Sequence, residues 1–238
     1  MTEATVIPIK RLDFRLVDWQ WPFSCDRSAE ISAHFDRLKK ERPALWNGRV
    51  FMLRDYMVTS TALRGNFFET GFAELLAWRD WGYPDRTIRS CFAMAAIETA
   101  DKGFMLGVMG EHTANSGKIY FPTGTPDADD LFGDHVDLDK SVRRELTEET
   151  GLKFEQFRFE QDWHAVFSGH HIALIKRLRS PESAKQLRSR VLAFLARDEQ
   201  PEFSDIRIVL GTNDLTPNVP PYVRAFLEQV WRDDGVRA

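Results

Sequence analysis

An α/β protein is the fold class this sequence predicts, and three features predict it. Short apolar segments of strand type recur between Gly, Pro and Asn positions, as at 91–99 and 104–109. Longer segments with helical spacing of apolar residues stand among them, as at 29–41 and 220–231. A charged segment, 138–150, keeps the same helical spacing at Leu138, Val142 and Leu146.

Residues 1–86 read as an α+β N-terminal subdomain. Strand-type residues fill 11–21. A helix over 29–41 puts Ile31, His34, Phe35 and Leu38 on one side and stops at Arg42-Pro43. Leu45-Trp46-Asn47-Gly48 ends in turn chemistry, and paired strands follow at 50–57 and 58–64. A helix over 72–81 is closed by Gly82 and Pro84. Phe72, Trp78 and Trp81 are too many large apolar groups for a free surface. The subdomain is therefore expected to pack on the core or on a second subunit and to border the substrate cleft.

Residues 87–212 read as the core domain. Strands 91–99 and 104–109 flank the turn Asp101-Lys102-Gly103, and a Gly/Asn-rich connection over 110–117 leads to strand 118–124 and a Pro/Gly loop. The helix over 138–150 comes next, then strands 154–167 and 171–178. Pro181 opens a helix continuing over 183–197, before a strand at 203–210. Residues 213–238 form a C-terminal helical tail packing on the core, with Val223, Phe226, Leu227 and Val230 aligned.

Composition narrows the function. With 238 residues and 43% hydrophobic content, the chain can bury a substantial core. A net charge of −4 argues against a broad nucleic-acid surface. No apolar run approaches membrane-spanning length, and the first residues lack a signal-peptide pattern. Two distant cysteines, Cys25 and Cys91, read as reduced thiols in a cytoplasm.

The stretch Arg144-Glu145-Leu146-Thr147-Glu148-Glu149-Thr150-Gly151-Leu152 carries the chemistry. Glu145, Glu148 and Glu149 sit at i, i+3 and i+4, on one helix face. Taken alone, they read first as a solvated acidic face, and the surrounding residues shift that reading. Like charges this close destabilise a helix unless a cation covers them, and all-oxygen ligands suit Mg²⁺ or Mn²⁺. Gly151 sits where a left-handed residue closes a helix.

This strand-loop-helix resembles the Nudix hydrolases, whose box runs G-x5-E-x7-R-E-U-x-E-E-x-G-U, with U apolar. The second half matches at Arg144, Glu145, Leu146, Glu148, Glu149, Gly151 and Leu152. The first half departs: the family Glu falls on Val136 and its Gly on Asp130. Gly124 is the better loop glycine, which makes the loop roughly six residues longer than the family spacing. Asp137 or Asp134 is expected to supply the missing acid and to hold the loop or Arg144, with Asp127, Asp129 and Asp130 as further candidates. The whole loop is expected on the substrate side.

The resemblance implies an α/β/α sandwich with a mixed curved sheet. It implies a Mg²⁺- or Mn²⁺-dependent pyrophosphohydrolase cleaving the diphosphate of a nucleoside diphosphate derivative: a nucleotide sugar, dinucleotide, ADP-ribose or CoA type. The implied metal set is Glu145, Glu148, Glu149 and the Gly124 carbonyl, with Glu145 as ligand or base and Arg144 orienting a Glu. A further acid would come from 198–202, at Glu199 or Glu202, ahead of the weaker Glu160 and Asp162. A homodimer is also implied. The altered first half favours a different reading, a non-catalytic module that senses a nucleotide or binds a partner. An isomerase of this fold would need a catalytic Cys, and Cys91 reads as a buried inert thiol. His164, His170, His171 and Lys118 read as surface groups. Phe67, Phe68, Trp78, Trp81 and Tyr83 read as core more than as base-stacking residues.

Overall fold

The computed structural model describes residues 4–235. Two mixed sheets share its interior. The larger runs β1-β12-β13-β5-β6-β14, from β1 (Thr5–Ile9), β5 (Ser90–Glu98), β6 (Phe104–Met109), β12 (Trp163–Ser168), β13 (His171–Arg179) and β14 (Phe203–Val209). Short strands β7 (Ile119–Tyr120), β8 (Thr123–Gly124) and β11 (Arg158–Phe159) join β6, β5 and β13. The smaller sheet runs β3-β4-β2-β10-β9, from β2 (Arg11–Leu16), β3 (Arg49–Val58), β4 (Ala62–Gly71), β9 (Leu131–Phe132) and β10 (His135–Val136). The pairs β13–β5 and β2–β4 are parallel. The helices are α1 (Pro22–Asp26), α2 (Ser28–Glu41), α3 (Phe72–Asp80), α4 (Leu138–Thr150), α5 (Ala184–Leu195) and α6 (Pro221–Asp233).

Strand β5 is buried at every position, as expected of a strand covered on both faces. Its small residues Ala93, Ala95 and Ala96 let α4 and β8 approach closely. Helices α4 and α5 pack on each other as well as on the larger sheet, while α6 lies across β1, β12 and β13. Phe226 of α6 meets Phe104, Phe121 and His164 edge-on. None of the helices among the described residues is long and apolar enough to cross a membrane.

The expected boundary between residues 86 and 87 does not divide the structure, because each sheet takes strands from the other side of it. Strand β1 belongs to the larger sheet, with Thr5 opposite Phe167 and Ile9 opposite Trp163. In return, the hairpin β9–β10 joins the smaller sheet, where His135 pairs with Arg15 and Leu16 N donates to Asp134 O at 2.8 Å. One apolar cluster therefore runs through both sheets, linking Phe14, Phe51 and Phe67 with Phe104, Leu146 and Leu174. A second cluster, around Trp21, Phe35, Phe68 and Trp78, lies under α2 and α3.

Local chemistry shifts several expected strands. The β3–β4 turn lies after Val58, where Thr59 Oγ1 accepts from Ala62 N at 3.0 Å. The expected strand 118–124 breaks at Phe121-Pro122, since Pro122 has no N–H for the ladder; its carbonyl instead accepts from Ala95 N at 3.0 Å. The expected strand 154–167 is split by a 3₁₀ turn at Phe154–Gln156 and a bend before β12.

A fragment of residues 86–238 loses β1 and the side of the main cluster formed by Phe14, Phe51, Leu53, Leu63 and Phe67. It is expected to be insoluble or to lack fixed side-chain packing. Near-ultraviolet circular dichroism and a thermal melt check this, and a cooperative, native-like melt would contradict it.

Candidate functional site

Helix α4 sets the site. Asp137 caps it, accepting from Lys140 N at 3.0 Å, and Gly151 closes it with φ of 69°. Leu138, Val142 and Leu146 bury one row of the helix. Beside them runs a buried polar row, Ser141, Glu145 and Glu149, spaced one turn apart. Glu148 points outward, its side chain 59% exposed. No basic residue stands in the last turn, so the negative end of the helix dipole opposes Glu148 and Glu149. Carboxylates buried there are costly, which marks the row as kept for something other than stability.

Strand β8 forms the floor. Thr123 N donates to Glu149 Oε2 at 2.8 Å, and Thr123 Oγ1 donates to Ala93 O at 2.6 Å. Gly124 pairs with Ala93 directly beneath Glu145. A Cβ at Gly124 would fall on the Glu145 carboxylate, so glycine there lets that side chain keep its present place. Glu149 is 4% exposed and its Oε1 has no hydrogen-bond partner. Its pKa is raised well above the usual value, by burial first and then by Glu145 and Glu202. Glu145 is pushed up to about 7 by burial, against the pull of Arg144, with Glu148 and Glu202 adding to the rise.

The two acids expected from 198–202 part company. Glu202, just before β14, lines the cleft with its carboxyl end turned towards Glu149 and His112. The residue is exposed by area, yet loss of hydration at that carboxyl raises its pKa. Glu199 is exposed and outside the cleft, so the structure does not bring it to the carboxylates. Glu160 is outside as well, bonded to Arg177, Arg179 and His164, and Asp162 does not line the cleft.

The acid that holds Arg144 is Asp130, a correction to the expectation of Asp137 or Asp134. Asp130 is 0% exposed and receives Arg144 Nη2 at 3.0 and 3.2 Å and Nε at 3.3 Å. Asp137 is occupied as the α4 cap, and Asp134 is an exposed partner of Arg15. Asp127 and Asp130 bracket a 3₁₀ turn at Ala128–Asp130 as a capping box, a three-residue spacing legible in the sequence. Asp129 is exposed on that turn, and only the first part of the long loop, Gly124, Thr125 and Asp127, lines the cleft. Burial works to lower the Arg144 pKa, but Asp130 and Glu145 outweigh it and keep the guanidinium charged.

Among the described residues, no three His, Cys, Asp or Glu side chains stand ready to enclose a metal ion. Arg144 Nη1 instead bridges Glu145 Oε1 at 2.9 Å and Glu148 Oε2 at 3.1 Å. The donor chemistry nevertheless fits a hard divalent cation: every donor is oxygen, no donor reaches Glu149 Oε1, and burial, with neighbouring carboxylates adding to it, raises the pKa of Glu145, Glu149 and Glu202. The cleft, about 410 Å³, continues from these acids to Trp46, Phe72, Tyr120 and Tyr222. A larger hollow of about 600 Å³, around Lys10, Phe132 and Lys176, lies elsewhere.

The remaining candidates fall outside the chemistry. His170 is half-buried and stacks on Tyr83 at 4.5 Å, tying the core to the N-terminal part. His171 borders the cleft, but burial lowers its pKa to about 4 and leaves it uncharged. Lys118 is exposed, and burial pushes the Cys91 thiol up, away from reactivity.

No family model matches this chain, and no curated protein does. Solved structures do resemble it. The MutT protein from Methanosarcina mazei Go1 is 17% identical, with 61% of this chain and 95% of that chain covered and a TM-score of 0.37. A NUDIX hydrolase from Nitrosomonas europaea is 14% identical, with 62% and 74% covered and a TM-score of 0.39. A bifunctional NMN adenylyltransferase/ADP ribose pyrophosphatase from Francisella tularensis is 13% identical, with 67% and 45% covered and a TM-score of 0.41. The chain is similar to Nudix hydrolases. At these identities and TM-scores the likeness says nothing about function, which rests on the residues of the cleft.

Asp130→Ala leaves Arg144 without its buried partner and is expected to destabilise the protein by about 3–5 kcal/mol. Asp134→Ala is expected to change stability by less than about 0.5 kcal/mol. Denaturant melts of both variants check the assignment.

The titration of Glu145 has a definite sign. Its folded pKa lies above 4.5, so the folded state holds the proton more tightly than the unfolded one. The native state is then favoured at low pH and loses stability as pH rises from 4.5 through about 7. Without divalent ions, the thermal midpoint is expected to fall across that window, and Glu145→Gln to flatten the fall.

Proposed function

We propose that this chain is a divalent-cation-dependent hydrolase of the diphosphate linkage in nucleoside diphosphate derivatives. One observation carries the reading: Glu145 and Glu149 are buried one turn apart, over Gly124 and Thr123, with no donor reaching Glu149 Oε1. The box-type sequence from Arg144 to Leu152 places them there. Glu145, Glu148, Glu149 and the Gly124 carbonyl would hold Mg²⁺ or Mn²⁺. When bound, such an ion neutralises diphosphate charge and lowers the pKa of water.

The chain's own groups do the rest. Burial pushes the Glu145 carboxyl up to about 7 and raises Glu202 from its ordinary value, and one of these two is the base that takes the proton from water. Water attacks one phosphorus as its proton passes to a carboxylate, and the bridging P–O bond breaks. Arg144, anchored by Asp130, orients Glu145 and Glu148 and stays charged throughout. The walls from Trp46 to Tyr222 border the cleft where the nucleoside side of the substrate would lie. A homodimer and a reducing compartment belong to the same reading; the latter accords with two free cysteines.

The test is turnover of a panel of nucleotide sugars, dinucleotides, ADP-ribose and CoA, with and without Mg²⁺, read by chromatography of the phosphate products. At least one is expected to be cleaved only with the metal. Glu149→Gln is expected to lower that turnover roughly a hundredfold or more while leaving the metal-free thermal midpoint at or above that of the wild type, because burial and Glu145 disfavour the ionised carboxylate and a neutral amide does not ionise. No metal-dependent cleavage of any of them, or near-normal activity in Glu149→Gln, would overturn the reading.

A further inference from the structure

Trp46 is out of keeping with the other tryptophans of the N-terminal part. Trp21 and Trp78 are buried in the aromatic cluster, whereas Trp46 is 58% exposed. It stands in the turn between α2 and β3 and lines the same cleft as Gly124, Arg144 and Glu145. Phe67, Phe68 and Trp78, which the sequence also offers as stacking residues, lie in the core.

The indole is held without any ligand. Its ring lies over Gly48, so closely that a Cβ there would fall inside the ring. Phe72 stands beside it, with centroids 6.2 Å apart and planes at 47°. The turn itself is tied to the start of α3: Ala73 N donates to Asn47 Oδ1 and Phe72 N donates to Gly48 O, both at 2.9 Å. A large apolar ring fixed by backbone contacts yet left open loses little freedom when a flat partner covers it.

We propose that Trp46 stacks on the aromatic base of the substrate, so that the N-terminal part selects diphosphates that carry a nucleoside. The proposal rests on the hydrolase reading above and adds the group that recognises the non-reacting end. The acids engage the diphosphate, while Trp46, supplied by a different part of the chain, engages the ring. Stacking of a base on an aromatic side chain strengthens binding roughly ten- to a hundredfold and tolerates either purine or pyrimidine, so the preference is for a ring and not for one base.

The experiment is calorimetric binding, in Mg²⁺, of the non-hydrolysable α,β-methylene analogues of ADP and UDP. Methylenediphosphonate, which keeps the charged bridge and lacks the ring, is the reference. The wild type is expected to bind both nucleotide analogues about tenfold or more tighter than the reference. Trp46→Ala is expected to erase that preference with the reference unchanged, and Trp46→Phe to recover most of it. Equal binding of nucleotides and reference by the wild type would overturn the stacking role and leave the hydrolase reading standing. So would a Trp46→Ala variant that keeps the preference but splits a dimer in sedimentation. If none of the three compounds binds, stacking falls, and the hydrolase reading is decided by the cleavage panel alone.

Discussion

One guanidinium stands among Asp130, Glu145 and Glu148, and the functional half of the protein is arranged around that imbalance. Asp130 matches the charge of Arg144 at a buried position, which leaves the other acids in excess. Glu149, with one oxygen facing no donor, is the sharpest instance. Uncompensated buried carboxylates relax by turning outward or by taking up protons. Here the first route is resisted by packing: β5 is sealed on both faces, β8 fixes Glu149 through Thr123, and Gly124 leaves Glu145 only the space it fills. The second route remains, and the raised pKa of Glu145, Glu149 and Glu202 records it.

The surrounding loops follow from the same need for rigidity. The chain between Gly124 and Asp137 does not hang over the cleft. It is tied to β3 where Phe51 N donates to Pro126 O at 2.7 Å, caps a 3₁₀ turn with Asp127, and runs into a hairpin of the smaller sheet. The added length thus serves as an anchor for Asp130. The cleft acquires its second wall from the residues around α3 and the preceding turn, so its two ends have opposite character: acidic and crowded at α4, aromatic and open at Trp46.

Much of this is legible in the sequence where local rules decide. Helix α4 is marked by Asp137 before it, Leu138, Val142 and Leu146 along it, and Gly151 after it, and its bounds follow. Strand β6 is bounded equally clearly by Gly103 and Gly110. Long-range partnership is where the sequence falls silent. Strand β1 buries little beyond Ile9 and is held by main-chain bonds to β12, which leave no side-chain pattern. Asp130, Asp134 and Asp137 are alike in type, and only the folding of the loop onto the smaller sheet decides which meets Arg144. Glu199 and Glu202 differ in the same way, since proximity to β14 turns one inward.

The exchange of strands between the sheets also bears on the order of events during synthesis. Residues 5–9 leave the ribosome well before their partner strand, which includes Phe167, and the sheet is closed at its far side by β14 later still. The N-terminal part cannot complete its own sheet either until residues 131–136 arrive. Pairings of such sequence separation slow folding and keep unpaired strand edges open meanwhile. The nascent chain therefore has no early resting point at residue 86, and it depends on its surroundings to keep β1 and β2 from foreign strands until residues 131–136 and 163–168 have been made.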